Sequence, residues 1–159
     1  MTILPIRLVP DPILRRKARR VPFIDASILR LVEDMVDTMR DVRGVGLAAP
    51  QVGYSLRVIV IEVPEEPVIT LINPEIIRRS GERVVEEGCL SIPGYRGEVV
   101  RSITVRAKGL DPNGKEVRLK AEGLLAHALE HETDHLNGIL YIYHIHDPDK
   151  LWKIEAHQH

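Results

Sequence analysis

Apolar positions along the first third of the chain change their period, and each change marks an element. Ile28, Leu31, Val32, Met35, Val36 and Met39 recur every three to four residues, which predicts a helix with one core-facing stripe. Asp25 or Ser27 stands where an N-cap is needed, and Gly44 stops the helix just past Val42. Residues 3–9 ahead of it read as extended, closed by the turn Pro10-Asp11-Pro12. "LRVIVIEV" (Leu56 to Val63) is rich in β-branched residues and predicts a buried strand, and "VITLIN" (Val68 to Asn73) predicts a second after the turn "PEEP". A hairpin is expected over residues 75–86, around Ser80-Gly81. A small-residue loop is expected at "EGCLSIPGY" (Glu87 to Tyr95).

The strongest short-range signal is "DPNGK", flanked by "EVVRSITVRAKGL" and "KEVRLKAEG". Its Asn113-Gly114 pair predicts a tight hairpin turn. A second helix runs from near Gly123 to about Leu136, with Asn137-Gly138 as its stop. "ILYIYHI" (Ile139 to Ile145) reads as a short strand. No repeat, linker or low-complexity segment intervenes. The expected fold class is α+β: antiparallel strands and hairpins surround one central helix, in a single domain over residues 1–159.

Composition narrows the function classes. The formal net charge of −1 gives no reason to expect a specific nucleic-acid partner. The one dense basic run, Arg15 to Arg20, lacks interleaved aromatic residues and reads as a solvated stretch. Cys89 is the only cysteine, so no intrachain disulfide can form, which fits a reducing compartment. The N-terminus lacks a signal-peptide pattern, and no apolar run approaches the roughly 20 residues of a membrane span. A soluble cytoplasmic protein without a membrane partner is the default expectation.

Candidate chemistry lies on the second helix. "HETDH" places His131 and His135 four residues apart, on nearly one face, so both can reach one metal ion. Glu132 is rotated by about 100° from His131 and can miss the ion yet act as a general base toward a water there. Two unrelated surface histidines would give the same pattern; the apolar flank "GLLAHALEHETDHL" favours the metal.

The third ligand is less direct. One protease class continues with a histidine six positions after the second, where this chain has Tyr141. Glu155 is the sole downstream glutamate and is poorly placed. His127 lies one turn before His131, but a straight helix spreads 127, 131 and 135 over about 12 Å, too far to share one ion. His144, His146, His157 and His159 read as structural or solvated. Cys89 is either a small buried hydrophobe or a thiolate ligand. As a ligand it would leave one coordination position open, as a catalytic site needs.

Three stretches together, "GVGLAAPQ" (Gly44 to Gln51), "EGCLS" (Glu87 to Ser91) and "HETDH", resemble the three motifs of the peptide deformylase family, in order. "PDPILRRKARRV" and "HLNGILY" extend the resemblance over nearly the whole chain. The resemblance implies Cys89, His131 and His135 as ligands of one divalent ion, usually Fe2+, with Zn2+, Ni2+ or Co2+ able to substitute. It implies Glu132 as general acid/base, and Gln51 and the Leu90 N–H as oxyanion donors. It implies Gly46 as the place where the substrate backbone approaches. The implied reaction removes the N-formyl group from the N-terminal methionine of new proteins and releases formate. The implied partners are N-formylmethionyl nascent peptides, with a transient ribosome contact; the chain after the helix is short for the longer C-terminal helix that some members dock with. The methionine side chain is expected in an apolar pocket lined by Val45, Leu124 and the helix around Ala128. Two positions depart from the family's habit. Glu130 replaces a common glutamine and is expected to be hydrogen-bonded at the helix surface, and Thr133 replaces an aliphatic residue.

Overall fold

A computed structural model describes residues 2–154. Glu155, His157 and His159 lie outside the described residues. The first helix, α1 (Ala26–Asp41), begins where Asp25 caps it: one carboxylate oxygen accepts from Ser27 N at 3.0 Å and Ile28 N at 3.1 Å. Its stripe of Ile28, Leu31, Val32, Met35 and Met39 is buried.

The strands that follow are β1 (Gly46–Ala48), β2 (Val58–Ile61), β3 (Ile69–Ser80), β4 (Arg83–Cys89), β5 (Ile92–Arg101), β6 (Thr104–Leu110) and β7 (Glu116–Glu122). Helix α2 (Gly123–Leu136) and a short β8 (Leu151–Lys153) follow. One sheet has the order β1-β2-β3-β6-β7 and the other β4-β5-β8, with every pairing antiparallel.

Strand β2 explains its own apolar run. Ile59 and Ile61 join the core under α2 with Leu71, Val105, Leu129 and Leu136. Val58 and Val60 face the other way, into the cluster beneath α1 with Met35, Met39 and Leu47. Both faces of the strand are covered, so both alternating sets are apolar. Each fully buried Leu or Ile contributes on the order of 1.5–3 kcal/mol.

The expected α+β class holds, but three expectations about local structure are corrected. Residues 75–86 are not a hairpin. Ser80 pairs with Thr104 and Arg83 with Arg101, so β3 runs on into β4 while β5 runs on into β6. The four strands form one long hairpin, bent at residues 81–82 and 102–103, with half of its length in each sheet. Gly81 (φ +70°) sits at the bend, where a Cβ would meet Ile103 Cδ1 at 2.8 Å. Accordingly, "EGCLSIPGY" is not a free loop but the hairpin's tip, where Cys89 pairs with Ile92. Finally, "ILYIYHI" is not a strand. Tyr141–His144 forms a 3-10 turn, with Tyr143 N donating to Leu140 O at 3.0 Å. The edge of β5 is taken by β8 instead.

The Asn113-Gly114 turn is as expected, with Gly114 at φ +81° and Asp111 N donating to Lys115 O at 2.9 Å. Among the described residues, no helix is long and apolar enough to cross a membrane. Thr133 is 6% exposed and its hydroxyl has no partner among the described residues. Thr133→Val keeps the shape and removes the unpaired group. It is expected to raise stability by about 1 kcal/mol, read from urea titrations of the two proteins.

Candidate metal centre

The site forms where the tip of the long hairpin meets α2. Ala126, Leu129 and Leu136 bury one face of α2 against the five-stranded sheet. That leaves His131 and His135, one turn apart, directed toward the hairpin tip. Their Nε2 atoms are 3.2 Å apart. Cys89 Sγ lies 3.3 Å from His135 Nε2, and the three donor atoms all fall within 4.8 Å of one another. A tetrahedral ion with imidazole and thiolate ligands holds its donors about 3.4–3.6 Å apart. The residues therefore fit a metal by spacing and by donor chemistry, and three protein ligands leave a position for water or substrate. Two imidazoles and a thiolate suit Fe2+, Zn2+, Ni2+ or Co2+. Burial, followed by the neighbouring His131, keeps His135 well below the usual imidazole range, which favours the neutral, ligating form.

Glu132 is outside this triad. It is 4% exposed, and its Oε1 has no partner among the described residues. Burial, reinforced by the charge on Glu87 and opposed by His131 and Arg101, pushes its carboxyl up to about 7. Such a carboxyl can take and return a proton near neutral pH.

A cavity of about 650 Å³ is lined by Val45, Gly46, Gln51, Cys89, Leu90, Leu124, Ala128, His131 and Glu132, together with parts of β4 and β5. His135 is 1% exposed. Every candidate site residue is thus either on this cavity or, for His135, joined to its wall through Cys89 and His131. Gln51 is held rigidly: its Oε1 accepts from Ala48 N at 3.0 Å and its Nε2 donates to Ser91 Oγ at 3.1 Å, 3.7 Å from Cys89 Sγ. His127 stays out of the triad and bonds Glu87 Oε2 at 2.8 Å. His144 bonds Asp134 at 2.9 Å.

Gly46 has a local structural reason to lack a side chain. A Cβ there would lie 2.5 Å from Glu132 Oε2 and 3.0 Å from its Cδ and Cγ. The glycine makes room for the carboxylate. Gly46→Ala is expected to displace Glu132 and cut kcat by on the order of tenfold to a hundredfold, with metal content unchanged. Activity and metal analysis on the same preparation check both halves.

The groups that hold the histidines carry no metal-ligand or catalytic spacing of their own in the sequence. Glu87 is 2% exposed and accepts from His131 Nδ1 and from His127. Arg101 grips it with two bonds, at 2.6 and 2.9 Å, and reaches Asp134 at 2.8 Å. Burial would raise the Glu87 carboxyl, but the hydrogen bonds from His127, His131 and Arg101 outweigh it and hold it far below the carboxylate range. A signal for Glu87 was present. It stands in the same short motif as Cys89, two residues before it, although the register shifts between the two.

Residues 3–151 match the family model described as Polypeptide deformylase. A peptide deformylase from Dehalococcoides mccartyi is 56% identical over 155 residues, covering 97% of this chain and 93% of its own length. The crystal structure of a peptide deformylase from Legionella pneumophila superposes with a TM-score of 0.89 at 47% identity, over 92% of this chain and 88% of that one. A class I type b peptide deformylase from Acinetobacter baumannii, solved with Met-Ala-Ser bound, gives a TM-score of 0.88 at 36% identity, over 91% and 99% of the two chains. With sequence and fold both shared over nearly its whole length, the chain belongs to the polypeptide deformylase family.

Proposed function

We propose that this deformylase holds one divalent ion, ferrous iron, on Cys89, His131 and His135, and uses Glu132 to move the proton in the hydrolysis of N-formylmethionyl peptides. The observation that carries this reading is the cluster of Cys89, His131 and His135 donors at a cavity whose wall also holds the buried Glu132, which lies outside that cluster. A bound divalent ion supplies Lewis acidity toward the formyl oxygen and makes a water acidic near neutral pH. Glu132 takes a proton from the attacking water and delivers it to the amine as the formyl C–N bond breaks, leaving formate and a free N-terminus. The Gln51 amide and the Leu90 N–H stabilise the oxyanion; Gln51 suits this because its side chain is already fixed by Ala48 and Ser91.

Val45, Leu124 and Ala128 offer the methionine side chain an apolar wall, and Gly46 leaves the peptide backbone room beside Glu132. The Met-Ala-Ser held by the Acinetobacter baumannii relative is the product expected from formyl-Met-Ala-Ser. The partners in this reading are nascent N-formylmethionyl chains and, transiently, the ribosome presenting them. The setting is the cytoplasm, where Cys89 stays reduced.

The test compares formyl-Met-Ala-Ser, acetyl-Met-Ala-Ser and casein, using protein purified without oxygen. Formate release from the first peptide is expected to exceed turnover of the second by at least about tenfold, because one added methyl in a tight pocket costs about 1–3 kcal/mol. Casein is expected to stay intact. Glu132-dependent casein cleavage without formate release would make the site that of a peptidase instead.

A further inference from the structure

Glu130 stands directly before His131, is 7% exposed, and takes no part in the mechanism above. It is buried rather than set at the helix surface. Its Oε1 accepts from Ser102 N at 2.7 Å, and its Oε2 accepts from Ser102 Oγ and Arg79 Nε, each at 3.0 Å. Ser102 lies at the bend of the long hairpin. One turn further along α2, Asp134 holds Arg101, the preceding residue of the same bend, at 2.8 Å. Two carboxylates on one helix thus grip two consecutive residues where the hairpin leaves one sheet for the other.

The connections close into a ring. From Glu130 they run to Ser102, then to Arg101, to Glu87, and back to α2 at His131. A side chain that only filled space at position 130 would leave the Ser102 N–H unpaired. A carboxylate satisfies both Ser102 donors at once. Arg79 is 55% exposed, so its ion pair adds little; the buried bonds to Ser102 carry the link.

We propose that Glu130 is a positioning residue of the metal centre: by pinning the hairpin bend at Ser102 it sets Arg101 and Glu87 behind His131 and brings Cys89 to the two histidines. This rests on the ligand set proposed above, and the two fail separately. If the ligand set is wrong, Cys89→Ala keeps its metal. If only the Glu130 role is wrong, Cys89→Ala loses metal while the Glu130 variants do not.

The experiment measures release of Co2+ to a chelator, and the Co2+ absorption spectrum, for wild type, Glu130→Ala, Glu130→Gln, Ser102→Ala and Arg79→Ala. Partners behind a ligand typically change metal affinity by about 10–100-fold, so Glu130→Ala is expected to release metal about tenfold faster, with a shifted spectrum. Glu130→Gln should restore most of the loss, since its amide oxygen still accepts from Ser102 N. Ser102→Ala should move both readouts the same way but less, and Arg79→Ala should leave them at wild type. Val32→Ala, a core change in the separate cluster beneath α1, controls for stability and should alter neither. Wild-type release and spectrum in both Glu130→Ala and Ser102→Ala would overturn the proposal. If Glu130→Ala does not fold, wild-type behaviour of Ser102→Ala alone overturns it.

Discussion

Glu132→Ala is expected to lower turnover of formyl-Met-Ala-Ser by at least about two orders of magnitude, the scale of a general acid/base contribution, while metal content stays at wild type. The separation of the two effects follows from geometry. Glu132 follows His131 in sequence but is outside the Cys89, His131 and His135 donor cluster, so its removal is expected to take away no bond to the ion. What is lost is a carboxyl poised near 7 in a cavity wall. Formate release and metal analysis on one preparation give the answer. Near-normal turnover would remove Glu132 from the mechanism; loss of metal would make it a ligand or a fold residue.

Cys89→Ala is expected to lose metal and activity together, because ligand loss acts on both. The thiol is 3.3 Å from His135 Nε2 and 3.7 Å from Gln51 Nε2. Its replacement therefore leaves two imidazoles as the only donors and frees the Gln51 amide from one neighbour. Metal content after purification and dialysis is the measurement. Full occupancy would return Cys89 to the status of a small packing residue and reopen the search for a third ligand, starting from His127, which now bonds Glu87.

The parts of this site that the sequence made legible are those set by one element at a time. His131, Glu132 and His135 share a helix, and helical spacing alone decides which of them can meet. The capped start of α1 and the Asn113-Gly114 turn are equally local. Cys89 was legible as a candidate but not as a neighbour, because it reaches the helix only through the bend of the hairpin. That bend was hidden. Ser102 and Ile103 continue the strand-like pattern of their neighbours, and the turn into the second sheet is fixed by Glu130 and Asp134 from a different element. Gly46 illustrates the same limit. Its lack of a side chain is explained by Glu132 Oε2, which arrives from far along the chain. Glu130 stands out in the sequence as a departure from glutamine, but its burial is set by Ser102, which arrives from a distant strand bend.

The bent hairpin is also a lever. From Arg83, just past the bend, to the tip at Cys89, six strand steps make an arm of about 20 Å. A rotation of about 3° at the fulcrum therefore swings the sulfur by about 1 Å, enough to misalign a reaction by as much as a hundredfold. Accuracy at the hydrolytic centre is thus a question of angular stiffness some distance from it. The side chains that supply that stiffness touch neither ion nor substrate, and an inventory of the cavity wall would omit Ser102 and Arg101 altogether.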